Sequence, residues 1–312
     1  MRGRLAWLAW LAVGWAAAAG TALAAAIETA PAAQVLFSVP EADTLEPGLI
    51  RAEWNYTFLR GNHHDRVFNT DQTIGTRTNH RKTHLVAWRL RYGLTDRLQP
   101  EAEVVYKAYR QHAHGDGDTH DRFDDGDFER LFAGLSVQAL RESAHLPALR
   151  LRGGVLAPRR AETENIGQET GFDLLASSSK AFGGVRLFSS AGFAMTVGNR
   201  DHPADSVFND TLISKGHGLR TLTYGVGAAA PLSDRWQANL ELDGRVFDAI
   251  QLNRRIHKSQ LTLTPGLVYR KAFPRRETWC GLGFPIGIIR AHESLIHDTD
   301  YFGVSIRTGI VF

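Results

Sequence analysis

Ile50-Arg51-Ala52-Glu53-Trp54-Asn55-Tyr56-Thr57-Phe58 alternates without a break: Ile50, Ala52, Trp54, Tyr56 and Phe58 fall on one side, and Arg51, Glu53, Asn55 and Thr57 on the other. A period of two held this long makes a β-strand with one apolar and one polar face. The rhythm returns along the chain. In 84–92, Val86, Trp88, Leu90 and Tyr92 oppose Leu85, Ala87, Arg89 and Arg91; in 101–108, Ala102, Val104, Tyr106 and Ala108 oppose Glu101, Glu103, Val105 and Lys107. Leu131, Ala133, Leu135, Val137 and Ala139 oppose Arg130, Phe132, Gly134, Ser136 and Gln138, and Leu149, Leu151, Gly153 and Val155 oppose Arg150, Arg152 and Gly154.

The second half continues in kind. Two weaker strands, 180–188 and 193–198, are read as joined by Ser189-Ser190-Ala191-Gly192. Strands over 221–228, 236–246, 260–269, 278–288 and 301–312 bring the expected count to twelve. Connection lengths alternate. Short ones fall at 93–97, 140–147, 189–192, 231–235 and 271–276, and long ones at 61–82, 111–127, 158–178, 199–218, 248–258 and 289–300. Short turns at one end and long polar loops at the other are the grammar of an outer-membrane barrel, and a soluble β-sandwich has no reason to keep it. The last strand alternates through Val304, Ile306, Thr308 and Ile310 to a terminal Phe312. That ending resembles the C-terminal signature by which the barrel assembly machinery recognises its clients. The expected fold is therefore all-β: a transmembrane, antiparallel, up-and-down barrel of about 12 strands, with short periplasmic turns and long extracellular loops.

The ends of the chain agree with export. Arg2 and Arg4 precede an apolar stretch, followed by the small-x-small pairs Ala22-Leu23-Ala24 and Ala24-Ala25-Ala26. This reads as a signal peptide over 1–26, with an uncleaved anchor helix as the alternative. A periplasmic segment over 27–48 and a barrel over 49–312 follow, which places the protein in the outer membrane of a Gram-negative bacterium, in contact with its lipid. Whether 27–48 plugs the periplasmic mouth stays open at this point. Of 312 residues, 36 are basic and 33 acidic; losing Arg2 and Arg4 leaves a mature charge of +1. That balance gives no reason to expect nucleic acid. The single cysteine, Cys280, cannot form an internal disulfide.

With the apolar set on lipid, the opposite set lines the lumen. The candidate pore-lining residues are Arg51, Glu53, Arg89, Arg91, Glu101, Glu103, Lys107, Arg130, Arg150, Arg152, Arg186, Glu241, Asp243, Arg245 and Arg307, with Arg270 in the same phase. Two readings stand side by side: a rigidifying network of arginine–carboxylate pairs, and a cationic lining that steers anionic solutes. Trp54, Tyr92, Tyr106, Trp236, Tyr269, Trp279 and Tyr301 sit near strand tips and read as the interfacial girdle.

Loop 111–127 carries Asp116, Asp118 and Asp121 at a spacing like that of a calcium loop. Asp121 and Asp127 stand where such a loop needs glycine and glutamate, so a solvated acidic loop is expected. His63, His64, His112, His114 and His120 are too scattered to argue for a metal, and no metal or cofactor is expected. Ser214-Lys215-Gly216-His217 suggests a hydrolase by composition alone, and no nucleophile, zincin or phosphate-loop motif occurs. No enzyme is expected.

Several phrases together resemble the outer-membrane transporters grouped with the phenol-degradation meta-pathway proteins. They are Tyr92-Gly93-Leu94-Thr95-Asp96-Arg97-Leu98, Gly126-Asp127-Phe128 and the strand it opens, Pro147-Ala148-Leu149-Arg150-Leu151, Tyr224-Gly225-Val226-Gly227, Pro231-Leu232-Ser233-Asp234-Arg235-Trp236, Glu241-Leu242-Asp243-Gly244, Leu263-Thr264-Pro265-Gly266-Leu267 and the final strand. They span most of 85–312. Ala157-Pro158-Arg159-Arg160 departs from the Pro-Thr-Gly with which that family usually ends its fifth strand. The resemblance implies a passive outer-membrane channel for aromatic or other hydrophobic compounds, and no site residues come with it. The expected function is thus a porin-like channel for small solutes, aromatic or anionic. A closed barrel working through its loops is the second reading, and an outer-membrane lipid hydrolase the third.

Overall fold

A computed structural model of the protein describes residues 37–68, 74–114, 121–159, 169–198, 220–251, 254–273, 276–292, 296–297 and 301–312. The leader, Asp116, Asp118, His120 and the 214–217 phrase lie outside these residues. The side chains of His63, His64, His112, His114, Asp121 and Asp127 also lie outside the description.

The strands, in chain order, are β1 (Ile50–Phe68), β2 (Ile74–Tyr92), β3 (Leu98–His114), β4 (Asp121–Leu140), β5 (Ala148–Arg159), β6 (Glu169–Phe182), β7 (Val185–Gly198), β8 (Arg220–Pro231), β9 (Trp236–Gln251), β10 (Arg254–Phe273), β11 (Arg276–Gly283), β12 (Ile286–His292), β13 (Ile296–His297) and β14 (Tyr301–Val311). From β1 to β10 each pairs antiparallel with its sequence neighbour. β11 and β12 both pair with β10 and with β14, so they are two parts of one stave. The break falls at Phe284-Pro285, where proline has no N–H to give the ladder. β13 pairs with β1 beyond the end of β14 and extends the same stave. β14 then closes on β1 from Arg51↔Val311 to Gly61↔Tyr301, and Ile50 and Phe312 exchange backbone hydrogen bonds of 2.9 and 3.0 Å at the foot of the seam. The result is a closed antiparallel barrel of twelve staves with no free edge, as lipid requires of any sheet that crosses it.

The apolar set of the alternation faces outward. Trp88, Leu90, Leu151, Leu174, Leu222, Val226 and Leu240 are exposed, while their strand neighbours Arg91, Arg152, Asp173 and Glu241 are buried. Trp236 packs edge-on to Tyr269 with ring centroids 5.1 Å apart near the short-turn end, as girdle residues do. Trp279 and Tyr301 do not belong to that girdle. Both are buried inside the barrel, because they share the inward phase of their strands with Gly281 and with Gly303, Ser305 and Arg307.

Two expectations about connections need correction. The hairpin between β6 and β7 turns at 183–184, not at 189–192, and Gly183 takes the positive φ of +59° that suits glycine at a tight turn. Ser189, Ser190 and Ala191 instead lie mid-strand, paired with Ser178, Ser177 and Ala176. Ser190 and Gly192 point inward while Ser189 and Ala191 face outward, so small residues on both faces of one strand imitate turn composition. The long connections are also shorter than expected, because paired strand runs far into them. The β1–β2 ladder continues to Phe68↔Ile74 and the β9–β10 ladder to Gln251↔Arg254. Beyond the lipid both faces are wet, so apolar alternation stops while hydrogen bonding continues.

Val226 lies on the outer face of β8, five residues above Pro231 at the short-turn end and well inside the apolar band. Val226→Arg should destabilise the bilayer-inserted barrel by about 2–4 kcal/mol, measured by equilibrium denaturation in vesicles.

Candidate functional site

The inward positions of β1 to β7 and of β14 carry the charges. Arg51, Glu53, Arg91, Glu101, Glu103, Arg150, Arg152, Arg186 and Arg307 are buried, as is Glu241 across the barrel. Arg89, Arg130, Lys107 and Asp243 are half-buried, and Arg245 is exposed and hydrogen-bonded to Gln260. Register explains the clustering. Arg51 pairs with Arg91 and Glu53 with Arg89, while Arg91 and Arg89 face Glu101 and Glu103. The like-charged pair Arg51–Arg91 has Glu53 two residues along β1 on the same face and Glu101 across from Arg91.

Glu53 is the hub. One oxygen takes Arg51 Nε at 2.9 Å and Arg307 at 2.8 Å; the other takes Arg91 at 2.9 Å, with Arg89 at 3.8 Å. Arg89 passes the chain to Glu103 at 2.7 Å, Glu103 faces Arg130 at 3.5 Å, and Arg130 and Arg152 share Asp173 at 2.8 and 2.7 Å. Bidentate and shared guanidinium–carboxylate bonds of this kind are the strongest polar contacts a lumen can hold. Arg270 closes a separate pair with Glu277 near the short-turn end. Two aromatic rings lie under this layer: Arg51 sits 4.4 Å from the Trp279 ring and Arg152 4.6 Å from the Phe132 ring.

On the opposite wall β8, β10 and β11 carry inward glycines, Gly225, Gly227, Gly266, Gly281 and Gly283, and a second part of the chain occupies the space they leave. Residues 37–48 run inside the barrel at its short-turn end. Phe37 lies over Gly266, Gly281 and Gly283; a methyl group on Gly266 would overlap the ring. Val39 lies against Gly225 and Gly227 and packs with Phe188 and Ala229. Phe37 joins Val268, Trp279 and Val311 in a small apolar core within the lumen, flanked by Leu45 and Leu49. Ordinary side chains at those glycines would leave no room for the segment.

Polar anchors complete the docking. The Glu241 carboxylate accepts the backbone N–H groups of Phe37 at 2.6 Å, Ser38 at 2.6 Å and Val39 at 2.9 Å, and the Ser38 hydroxyl at 2.9 Å. Glu41 takes both terminal nitrogens of Arg51, at 2.6 and 2.8 Å, with Arg91 at 3.7 Å. Asp43 accepts from Arg186 at 2.7 Å, and the N–H groups of Thr44 and Leu45 donate to Gln138 and Gln99, each at 3.0 Å. The segment leaves through the turn Glu46-Pro47-Gly48-Leu49. Pro47 sets its second position, Gly48 takes φ +83° at its third, and Leu49 N–H returns to Glu46 at 3.2 Å. A side chain at Gly93 would collide with the Glu46 carbonyl, which passes directly over it.

Sequence reasoning did not find Glu41, Asp43, Asp173 or the two glutamines. Asp173 fell in a stretch read as loop. The available signal for the segment was the row of inward glycines on β8, β10 and β11, which lacks a reason unless something else fills the space.

No family model matches this chain, and no curated protein matches its sequence. A crystal structure of an outer-membrane channel from Pseudomonas putida F1 is similar to it over 91% of this chain and 100% of that one, with a TM-score of 0.57 and 14% identity. A Pseudomonas aeruginosa FadL homologue covers 85% of this chain and 90% of its own, with a TM-score of 0.41 and 8% identity. The translocator domain of the autotransporter NalP from Neisseria meningitidis covers 84% and 88%, with a TM-score of 0.44 and 12% identity. The first likeness shows the fold: this is a twelve-stave barrel of the outer-membrane kind.

Two tests follow from the docking geometry. Gly266→Val should expel Phe37 and expose 37–48 to added protease while the barrel still shows the heat-modifiable gel mobility of a folded one. The second concerns pH. Burial pushes the Glu41 carboxyl up, but Arg51 and then Arg91 outweigh burial and hold it below its ordinary value. A carboxylate shifted that way stabilises docking above the ordinary carboxylate range and loses the effect as pH falls through the lower docked value. Burial pushes the Asp43 carboxyl up, which acts in the opposite sense, so the check is a comparison: Glu41→Gln should show less acid-induced release than wild type in a protease-protection assay.

Proposed function

We propose that this protein is an outer-membrane channel for passive uptake of small anionic solutes, aromatic acids among them, and that residues 37–48 hold it shut. The observation that carries the reading is the arginine excess of the buried inner wall together with a filling segment that is not part of that wall. A rigid structural barrel would gain more from apolar residues than from buried ion pairs, because desolvating each charge costs several kcal/mol, at a rough figure. A wall that must accept anions has to carry those charges regardless.

Solute class draws support from what stands above the ion network. On β2, β3 and β5 the inward positions turn apolar at Leu85, Ala87, Val105 and Leu156, beside Phe132 and below Lys107 on the same face. A passage that mixes guanidinium groups with apolar walls suits a solute with a carboxylate and an apolar body. The resemblance to the phenol-degradation meta-pathway transporters points the same way, and the Pseudomonas putida neighbour is itself an outer-membrane channel. In this reading 1–26 is a signal peptide, cleaved after Ala26. The terminal Phe312 strand serves recognition by the assembly machinery. Transport is diffusive and uses no cofactor.

The filled lumen equally suits a closed barrel that works through its outer loops, and conductance separates the two. Refolded mature protein in a planar bilayer under a salt gradient should show brief openings with an anion-favouring reversal potential, and Glu241→Ala should lengthen them by freeing three anchored N–H groups. Arg89→Gln with Arg130→Gln, the two half-exposed arginines of the network, should reduce anion preference without loss of folding. A bilayer that stays silent with both wild type and Glu241→Ala would move the protein to the closed-barrel reading.

A further inference from the structure

We propose that Arg51, Arg91 and Arg150 form a carboxylate-binding site, that Glu41 occupies part of it as a tethered ligand, and that a free carboxylate solute entering there displaces the N-terminal segment. The inference deepens the channel reading and rests on it.

Glu41 sits as a bound solute would. Its carboxylate meets the Arg51 guanidinium through two parallel hydrogen bonds, with Arg91 at 3.7 Å on the other side. It is also carried on a segment that the barrel itself does not need for closure, since the β1–β14 seam is complete without it. Fork-on-fork geometry of this kind recognises any carboxylate, free or attached.

Arg150 and Ser177 add further donors to the site. Arg150 is 3% exposed, yet its nearest carboxylate contact is Glu101 at 3.9 Å, and its Nε and Nη1 make no hydrogen bond among the described residues. Ser177 pairs directly across the strand from Arg150, is 1% exposed, and its hydroxyl is likewise unpartnered. Buried donors left unmade are costly, and those of Arg150 and Ser177, side by side on one wall, suit a carboxylate oxygen as acceptor. Arg91 also has an unpartnered Nε. The Trp279 ring under Arg51 supplies an apolar face for the body of the solute.

Linkage gives the consequence. A solute that binds only where Glu41 has left shifts the segment toward release, and release in turn tightens solute binding by the same factor. A ligand tethered through a short chain acts at an effective concentration on the order of millimolar, so a free carboxylate in that range competes with it.

Sodium benzoate is the probe, and benzamide its uncharged counterpart of equal size. By calorimetry on the refolded full-length mature protein, Glu41→Gln should bind benzoate about tenfold more tightly than wild type, because the tethered competitor has lost its charge. Arg150→Gln should lose that binding while keeping heat-modifiable mobility, and benzamide should not bind any of the three. With wild type alone, benzoate but not benzamide should increase protease cutting within 37–48. Equal benzoate affinity in wild type and Glu41→Gln, or equal binding of benzamide, overturns the proposal. Failure of the two readings is distinguishable. A barrel that conducts but binds benzoate no better as Glu41→Gln sinks this proposal alone. A barrel that shows the benzoate effect but never conducts keeps the site and sinks the channel.

Discussion

Charge placed inside a closed barrel must be compensated inside it, and the organisation of this lumen follows from that constraint. Water at the ends of the lumen cannot reach side chains such as Arg51, Arg91 and Arg150, each almost wholly enclosed. Strand register therefore sets Glu53, Arg89 and Glu103 side by side across three strands, with Glu53 serving four arginines at once. The wall alone falls short. Arg51 and Arg186 find part of their compensation in Glu41 and Asp43, which arrive on a different part of the chain. The N-terminal segment is thus an electrostatic component of the barrel as well as an obstruction in it.

The two sides of the lumen solve different problems. The arginine side holds the segment by charge, and the glycine side holds it by shape. Phe37 and Val39 need concave, side-chain-free wall, which β8, β10 and β11 provide, while Glu241 gathers three consecutive backbone N–H groups that would otherwise be buried without partners. Neither side would suffice alone. Apolar contact without the N–H acceptor would bury naked peptide groups, and ion pairs without the glycines would have no segment close enough to reach.

Much of the fold was legible in sequence because lipid imposes a simple code. Wherever a strand crosses it, apolar and polar residues must alternate, and 50–58, 84–92, 236–246 and the final strand show this openly. Legibility failed where that code does not operate. Ser189 and Ser190 lie in a run of small residues that reads as a turn, and Asp173 and Ser177 lie in 158–178, which reads as a long loop because its alternation is weak. Outside the membrane, β1 and β2 continue as paired strand with no apolar period to announce it. Trp279 and Tyr301 were taken for girdle residues because large aromatics near strand ends usually face lipid, whereas these two fill lumen space opposite Gly309 and Gly287. The site itself was half legible. Phase alone places Arg51, Glu53, Arg91 and Arg150 on one inner face, but Glu41 and Asp43 lie in an irregular segment, where periodicity has nothing to say.

The anchors of the N-terminal segment also set an order of events during biogenesis. They come from β1, β3, β4, β7 and β9, while Phe37 rests on β10 and β11 and packs against Val311 of β14. No partial sheet brings these groups to one point, since only the joining of first and last strands curls them around a common axis. Residues 37–48, which precede every strand in the chain, are therefore the last to find their place. Docking them is a built-in proof of closure: an incompletely zipped barrel offers residues 37–48 only part of their set of anchors.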